Sequence, residues 1–199
     1  MLVIIDGLDG CGKSTQAYLM LQSLENMRKT VCLRVHPETD NWFGVKARTY
    51  LCSKGKNAHF ASALFYMVDV IRSILLFSWR RADFVIFVRY LMGTAYLPSP
   101  LDVFAYNFFS SIVPKSNTMF FLDVSPTEAA ARIAKNRIQT EMFESLNALK
   151  RVRAKALSLT RFDDWTIVDS NKPVAEIALE LKTKLLKEQK NGSNWKLVH

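Results

Sequence analysis

The chain has 199 residues, of which 49% are hydrophobic and 23% charged, a composition typical of one folded domain and not of a disordered chain. No segment approaches the roughly 18 uninterrupted apolar residues of a membrane helix, and Met1 leads directly into an apolar segment without a basic stretch. We therefore expect no membrane span, no secretory signal and a cytoplasmic protein.

A net charge of +9 indicates an anionic partner, such as nucleic acid, a membrane surface or phosphorylated metabolites. Part of this charge lies near the C-terminus, where we interpret residues 191–199 as a basic tail. The three cysteines form no C-x-x-C pair and have no histidine at ligand spacing, which argues against a disulfide framework or a zinc site.

Five apolar runs rich in Val, Ile and Phe predict β-strands. They are nearly continuous in hydrophobicity, as expected of parallel strands that are covered on both faces. In chain order they are Leu2–Asp6, Thr30–Val35, Phe84–Val88, Thr118–Val124 and Trp165–Val168.

Helical periodicity separates these strands. Apolar residues recur on one helix face after the first strand and again near the C-terminus, at Ala17, Met20, Leu21 and Leu24 and at Val174, Ile177, Ala178, Leu181 and Leu185. Two longer helices are predicted at about Trp42–Cys52 and Asn57–Trp79. Ser125 is predicted to cap another helix, with Glu128 closing a capping box. The alternation predicts one α/β domain over residues 1–190, with a five-stranded parallel sheet and helices on both faces.

A phosphate-binding loop follows the first strand. Residues 7–14 satisfy G-x-x-x-x-G-K-[ST] between a strand and a helix, the context in which this motif binds nucleotide triphosphates. Glycines let successive N–H groups point at phosphate oxygens, Lys13 places a charge near the β- and γ-phosphates, and Ser14 is the candidate Mg²⁺ ligand. The predicted ATP-binding residues are Gly7, Leu8, Asp9, Gly10, Cys11, Gly12, Lys13, Ser14 and Thr15.

Further candidates follow the carboxyl ends of other predicted strands, where ligands bind in open α/β sheets. Arg89 and Tyr90 follow the third strand, and His36, Pro37 and Glu38 follow the second. The basic residues Arg132, Lys135 and Arg137 come after the fourth strand. Phosphoryl transfer needs such arginines to position and neutralise the transferring group.

These motifs resemble the thymidylate kinase family over about residues 2–170. GLDGCGKST is similar to that family's G-x-D-G-x-G-K-S-T, and RVHPE lies where the family has R-E-P. FVIFVRYLMGTAYL resembles its strand ending in D-R-Y, and residues 120–137 and 141–157 resemble its fourth strand, lid and following helix.

The resemblance implies a P-loop NTPase fold with an arginine-containing lid at about residues 132–142, ATP and Mg²⁺ as cofactors, and transfer to a deoxynucleoside monophosphate, with dTMP giving dTDP. It implies that Asp9 lies near the acceptor, Arg89 binds its phosphate, and Phe65 and Arg72 line its base pocket. It assigns Arg132 and Arg137 to the lid that closes over ATP. The catalytic residues that it implies are Lys13, Arg89, Arg132 and Arg137. It also implies small nucleotides as partners and a homodimer, with neither nucleic acid nor membrane expected.

The chain departs from the family at Val88, where the D-R-Y motif has its aspartate. Asp6 and Asp123 are candidates for a substitute carboxylate, although Asp123 is equally suited to holding a loop. This departure leaves two alternatives open: a kinase for another small acceptor, and an ATP-binding regulatory or interaction protein with little catalysis.

Overall fold

The five predicted strands form one parallel sheet. The structure, a computed structural model, describes residues 1–51, 56–77, 82–136 and 145–190. The sheet has the order β2-β3-β1-β4-β5, with every neighbouring pair parallel. Its strands are β1 Leu2–Gly7, β2 Val31–Val35, β3 Phe84–Val88, β4 Met119–Asp123 and β5 Trp165–Asp169.

The central strands are apolar because both of their faces are covered. All side chains of β1 and β3 are buried, as are the first four of β4. Each strand lies within one residue of its predicted bounds at either end, and the prediction of a five-stranded parallel sheet is confirmed.

The described residues also form seven α-helices and two short 3₁₀ helices. They are α1 Lys13–Asn26, α2 Trp42–Leu51, α3 Lys56–Phe77, α4 Leu101–Ile112, α5 Pro126–Asn136, α6 Leu146–Leu159 and α7 Val174–Lys190, with 3₁₀ helices at Met92–Tyr96 and Thr160–Phe162. Helix α2 packs on α3, α1 packs on α7, and α4 and α6 pack against the 3₁₀ helix Met92–Tyr96. None of the helices in the described residues has the length and apolar character needed to cross a membrane.

Helix α5 begins as predicted, but only half of its capping box forms. Glu128 donates its N–H to Ser125 Oγ at 3.3 Å, as an N-cap requires. The reciprocal bond was predicted wrongly: Ser125 donates its own N–H to Asn171 Oδ1, and the Glu128 carboxylate pairs with Arg132 at 2.8 Å. A cationic side chain one turn away competes successfully for that carboxylate.

Helix α4 was not predicted from the sequence because its polarity is inverted. Its buried residues are Asp102, Tyr106 and Ser110, whereas Phe104 and Phe108 are exposed. Hydrogen bonds satisfy the inward-facing polar groups, since the Tyr106 and Ser110 hydroxyls both donate to Asp163 at 2.8 Å. A pattern that assumes apolar residues inside therefore fails on this segment.

Candidate active site

The loop between β1 and α1 has the geometry of an anion cradle. Gly10 and Gly12 adopt left-handed conformations, with φ of 78° and 88°. Gly12 is the N-cap of α1 and supplies no side-chain cap, and the first turn of α1 carries no acidic residue. The first N–H groups of the helix are therefore left for an external anion, which the helix dipole also favours.

Lys13 is held by its own loop. Its side chain is buried, and Nζ donates to the carbonyls of Gly7 at 2.9 Å and Leu8 at 2.7 Å. Cys11 lies 3.7 Å from the same amine, and burial raises the pKa of its thiol, so this cysteine fills space as a neutral group. The lysine charge is thus positioned at the cradle before any ligand arrives.

Asp9 joins the phosphate loop to the end of β3. One of its oxygens accepts from Arg89 Nη2 at 2.7 Å, and the other accepts from the Tyr96 hydroxyl at 2.7 Å. Arg89 has a left-handed φ of 61°, and its Nη1 reaches the His36 carbonyl at 3.5 Å. The strained backbone and the buried carboxylate together fix a guanidinium that remains 25% exposed.

The Asp6 carboxylate accepts hydrogen bonds from backbone N–H groups. Its Oδ1 accepts the N–H of Gly7, and its Oδ2 accepts the N–H groups of Tyr90, Leu91 and Met92 at 2.8 to 3.1 Å. Asp6 therefore caps the turn that follows Arg89, and both of its oxygens are engaged.

Asp123 is likewise engaged, in a bidentate pair with Arg153. Both N–O distances are 2.7 Å, and the pair fastens α6 to the end of β4. Of the two readings of Asp123, the structure therefore shows the one in which it holds a neighbouring segment.

Val88 is fully buried, and the ring of His36 lies beside it. His36 Nδ1 is 3.3 Å from the Val88 carbonyl, and its ring stacks on Phe87. Burial lowers the pKa of His36 to about 4, against the opposing effect of Asp69, so the ring is neutral. A neutral imidazole therefore occupies the neighbourhood in which the family pattern has a carboxylate.

Phe65 and Arg72 lie on one face of α3 and contact the α2 side. The Phe65 ring stacks on Tyr50 and meets Trp42 edge to face, while Arg72 Nη1 lies 3.6 Å from Asp40. The contacts that the structure gives these two side chains are thus with Tyr50, Trp42 and Asp40.

Tyr66, the next residue on α3, faces the site. A Cβ added to Gly93 would lie 2.4 Å from Tyr66 Cε1, so the tyrosine ring packs directly on the 3₁₀ helix that follows Arg89. The charges of Asp6, Asp9 and Arg89 all act on its hydroxyl. The spacing of hydrophobic residues did not separate Tyr66 from Phe65, because both lie in an apolar helix.

The remaining predicted residues are only partly placed. Arg132 lies on α5, paired with Glu128, and Ser14 and Thr15 are exposed at the start of α1. Arg137, most of the predicted lid (137–142) and the tail 191–199 lie outside the described residues. The sequence analysis did not identify Tyr96 or Arg153 as residues of the site. Tyr96 lies in the segment FVIFVRYLMGTAYL, which could have indicated it, whereas no local pattern indicated Arg153.

No group of three or more metal-ligating side chains occurs in the part of the chain that the structure describes. The role of Ser14 as a Mg²⁺ ligand stays a prediction. Mg²⁺ usually keeps several waters and binds nucleotide phosphates together with one or two protein ligands.

Comparison with known proteins gives a consistent result. The family model described as thymidylate kinase matches residues 5–181. A probable thymidylate kinase of Metallosphaera sedula is 30% identical over 93% of each chain, and one of Pyrobaculum calidifontis is 26% identical over 91% of this chain and 93% of its own. Among solved structures, the thymidylate kinase of Candida albicans matches with a TM-score of 0.72 and 21% identity, covering 96% of this chain and 92% of that one.

Proposed function

The chain belongs to the thymidylate kinase family, and on that premise we propose that it transfers the γ-phosphoryl group of ATP to dTMP, giving ADP and dTDP. As a member of this family it is a nucleoside monophosphate kinase. The two alternatives, a different small acceptor and a regulatory ATP-binding protein, are not favoured by these relatives.

The observation that carries the proposal is the link between the two halves of the site. Asp9 lies within the phosphate loop, 3.9 Å from Lys13 Nζ, and it also orients Arg89 at 2.7 Å. One carboxylate thereby sets the relative position of a donor-side cation and an acceptor-side cation. Positioning of this kind is most of what phosphoryl transfer demands of a protein.

On the donor side, we assign the β- and γ-phosphates to the loop N–H groups and Lys13. The bonds from Nζ to Gly7 and Leu8 keep the amine at the cradle, where it neutralises charge on the phosphates. Mg²⁺, when bound through Ser14, adds positive charge at the same phosphates. We also assign Arg132 and Arg137 to the donor side, as lid residues that approach ATP.

On the acceptor side, we assign the dTMP phosphate to Arg89. Its guanidinium is 25% exposed at the end of β3, and the arginine fork matches a phosphate in bidentate geometry. We keep Phe65 and Arg72 as proposed acceptor residues only through a rearrangement of α3 relative to α2, since their present contacts are with Tyr50, Trp42 and Asp40.

The test is acceptor-dependent ADP release from ATP and Mg²⁺, with dTMP, dUMP, dCMP, UMP, CMP, AMP and GMP in parallel. We expect the highest rate with dTMP. Arg89→Lys keeps the charge but loses the fork geometry, so it should raise the KM for dTMP by about tenfold and leave the KM for ATP unchanged. ADP release that is the same with and without every monophosphate would contradict the proposal.

We also propose a homodimer, which the family resemblance implies through the long helix predicted at about Asn57–Trp79, and we assign its surface instead to α4. The exposed face of α4 presents a continuous apolar stripe, made of Leu101, Phe104, Phe108 and Ile112. Stripes of this kind on a folded domain mark association surfaces. Light scattering should give a dimer for the wild type and a monomer for Phe104→Glu/Phe108→Glu; equal masses near 22.8 kDa for both proteins would contradict it.

A further inference from the structure

The hydroxyl of Tyr66 is buried without a partner. Tyr66 is 9% exposed, and its Oη makes no hydrogen bond with any residue that the structure describes. A buried hydroxyl that loses water without gaining a partner destabilises the fold, so such groups in native proteins need a reason. Burial also raises the pKa of this hydroxyl well above its usual value, so it stays protonated and able to donate.

The orientation of α3 separates Tyr66 from the two α3 residues that the family resemblance indicated. Successive helical residues are rotated by about 100°, so Phe65 and Arg72 share one face while Tyr66 and Ser73 share another. The first face contacts α2 through Tyr50. The second turns toward the 3₁₀ helix Met92–Tyr96, where the Tyr66 ring meets the bare Cα of Gly93.

Gly93 makes this placement possible. Any side chain there would overlap the tyrosine ring, because a Cβ would fall 2.4 Å from Cε1 and 3.0 Å from Cζ, the carbon that carries the hydroxyl. The ring belongs to the buried apolar core, as do Met67, Val70 and Met92, while the charges of Asp6, Asp9 and Arg89 act on its hydroxyl. An apolar ring with a polar tip suits the edge of a planar base, whereas a phosphate requires the cationic guanidinium of Arg89.

We propose that the Tyr66 hydroxyl donates a hydrogen bond to a carbonyl oxygen of the acceptor's pyrimidine base and so helps determine which base is accepted. This inference rests on the proposed transfer to a pyrimidine monophosphate at the same site. It assigns the reading of the base to an α3 side chain that lies about 100° around the helix from Phe65. The ligand oxygen supplies the hydrogen-bond partner that the described residues do not.

The experiment is a double-mutant cycle between protein and substrate. The values of kcat/KM are measured for wild type and Tyr66→Phe with dTMP, 2-thio-dTMP and 4-thio-dTMP, since sulfur is a much weaker acceptor than oxygen. Tyr18→Phe is the matched control, because Tyr18 lies exposed on α1. With dTMP, we expect the kcat/KM of Tyr66→Phe to be about tenfold lower than that of wild type. With the thio analogue whose sulfur replaces the accepting oxygen, the kcat/KM values of the two proteins should be nearly equal.

Thermal unfolding with and without dTMP separates this role from a structural one and does not depend on turnover. Without ligand, Tyr66→Phe should unfold at the wild-type temperature or above it, because it removes a hydroxyl with no partner. The stabilisation that dTMP gives should be smaller in Tyr66→Phe than in wild type or Tyr18→Phe. This binding arm remains informative if the wild type shows no transfer, which would refute the proposed function alone.

Three results would overturn the inference. They are a kcat/KM with dTMP within twofold of wild type, thio effects of the same size in wild type and Tyr66→Phe, and equal stabilisation of the two proteins by dTMP.

Discussion

The phosphate loop and the wall formed by β2 and α3 differ in how completely their polar groups are satisfied. In the loop, Asp6, Asp9 and Lys13 all have several partners within 3.1 Å. In the wall and at His36, which directly follows β2, hydrogen bonds are missing at five buried polar atoms, although two of the five lie in ion pairs with Glu38 and Asp40. The five are Arg34 Nε, His36 Nε2, Tyr66 Oη, Arg72 Nη1 and Ser73 Oγ, which are all but one of the buried side-chain N and O atoms without a hydrogen bond among the described residues.

This difference shows which part of the site has its polar groups hydrogen-bonded within the protein and which part has polar groups without a hydrogen bond. In the proposed function the loop binds a chain of phosphates, a group of constant chemistry, and its backbone and lysine are organised before the ligand arrives. In the further inference the wall faces the base of the acceptor, to which its polar atoms without a hydrogen bond are available. The predictions below test this contrast, from the largest expected effect to the smallest.

Lys13→Ala should remove the chemistry and spare the fold. Loss of the charge at the β- and γ-phosphates should lower kcat by at least about two to three orders of magnitude, the range seen when one stabilising group of a transition state is deleted. Initial rates of dTDP formation measure this loss.

Lys172→Ala is the matched control, because Lys172 pairs with Glu180 on the surface. Its rate should equal that of wild type. A Lys13→Ala enzyme that retains a tenth or more of the activity would break the assignment of the loop as the donor site.

Gly10→Ala and Gly12→Ala test whether the loop is pre-organised by packing or by conformation alone. Both glycines have positive φ, and alanine there costs about 1–2 kcal/mol. Only Gly10 is also crowded, since a Cβ would lie 2.7 Å from the Ala129 carbonyl of α5. Chemical denaturation should therefore show Gly10→Ala less stable than Gly12→Ala by a further 1–3 kcal/mol, roughly; equal losses would show that α5 does not clamp the loop.

His36 should make the wall sensitive to acid. Its folded pKa of about 4 lies below the unfolded value of 6.5, so the unfolded state takes up the proton first as the pH falls. The charged groups facing it are Asp69 from α3, Arg34 from β2 and Arg89 after β3. Its contribution to stability is complete above pH 6.5 and is lost toward pH 4, by up to about 1.4 kcal/mol per pH unit.

The measurement is urea unfolding at pH 7.5 and 5.0 for wild type and His36→Asn, whose amide keeps a donor for the Val88 carbonyl. We expect the wild type to lose about 2 kcal/mol more than the variant between these pH values. Identical pH dependence in the two proteins would mean that His36 is not the buried neutral group inferred from the structure.

Ser73→Ala and Ser110→Ala give the finest comparison of an unsatisfied with a satisfied hydroxyl. Both serines are buried in helices, but Ser110 donates to Asp163 at 2.8 Å, while Ser73 Oγ has no partner among the described residues. Ser110→Ala should lower the free energy of unfolding by about 1–2 kcal/mol, and Ser73→Ala should leave it unchanged or raise it. A loss at Ser73 equal to that at Ser110 would indicate a bound water.

The features that could be predicted from the sequence are those that depend on hydrophobic periodicity or on a local motif. The five strands, α1 and the loop of residues 7–14 follow from continuous apolar runs and from glycines that need positive φ. Helix α4 did not follow, because its inward face is polar and is satisfied by Asp163, which is remote in sequence.

Contacts between side chains of different helices and strands could not be predicted either, because the partners are remote in sequence. Nothing local distinguishes Tyr66 from Phe65, and only the packing of α3 against Gly93 turns the first toward the site. The pairing of Asp123 with Arg153 depends on two residues that lie far apart in the chain.

The most direct test of the account is the fate of the γ-phosphoryl group. The enzyme would be incubated with γ-³²P-labelled ATP, Mg²⁺ and dTMP, and the products separated by chromatography. The account predicts label in dTDP in equal amount to the ADP formed, and transfer in Lys13→Ala that is slower by at least about two to three orders of magnitude. Label that appears only as inorganic phosphate, at a rate unaffected by dTMP, would contradict it and show that the site delivers the group to water.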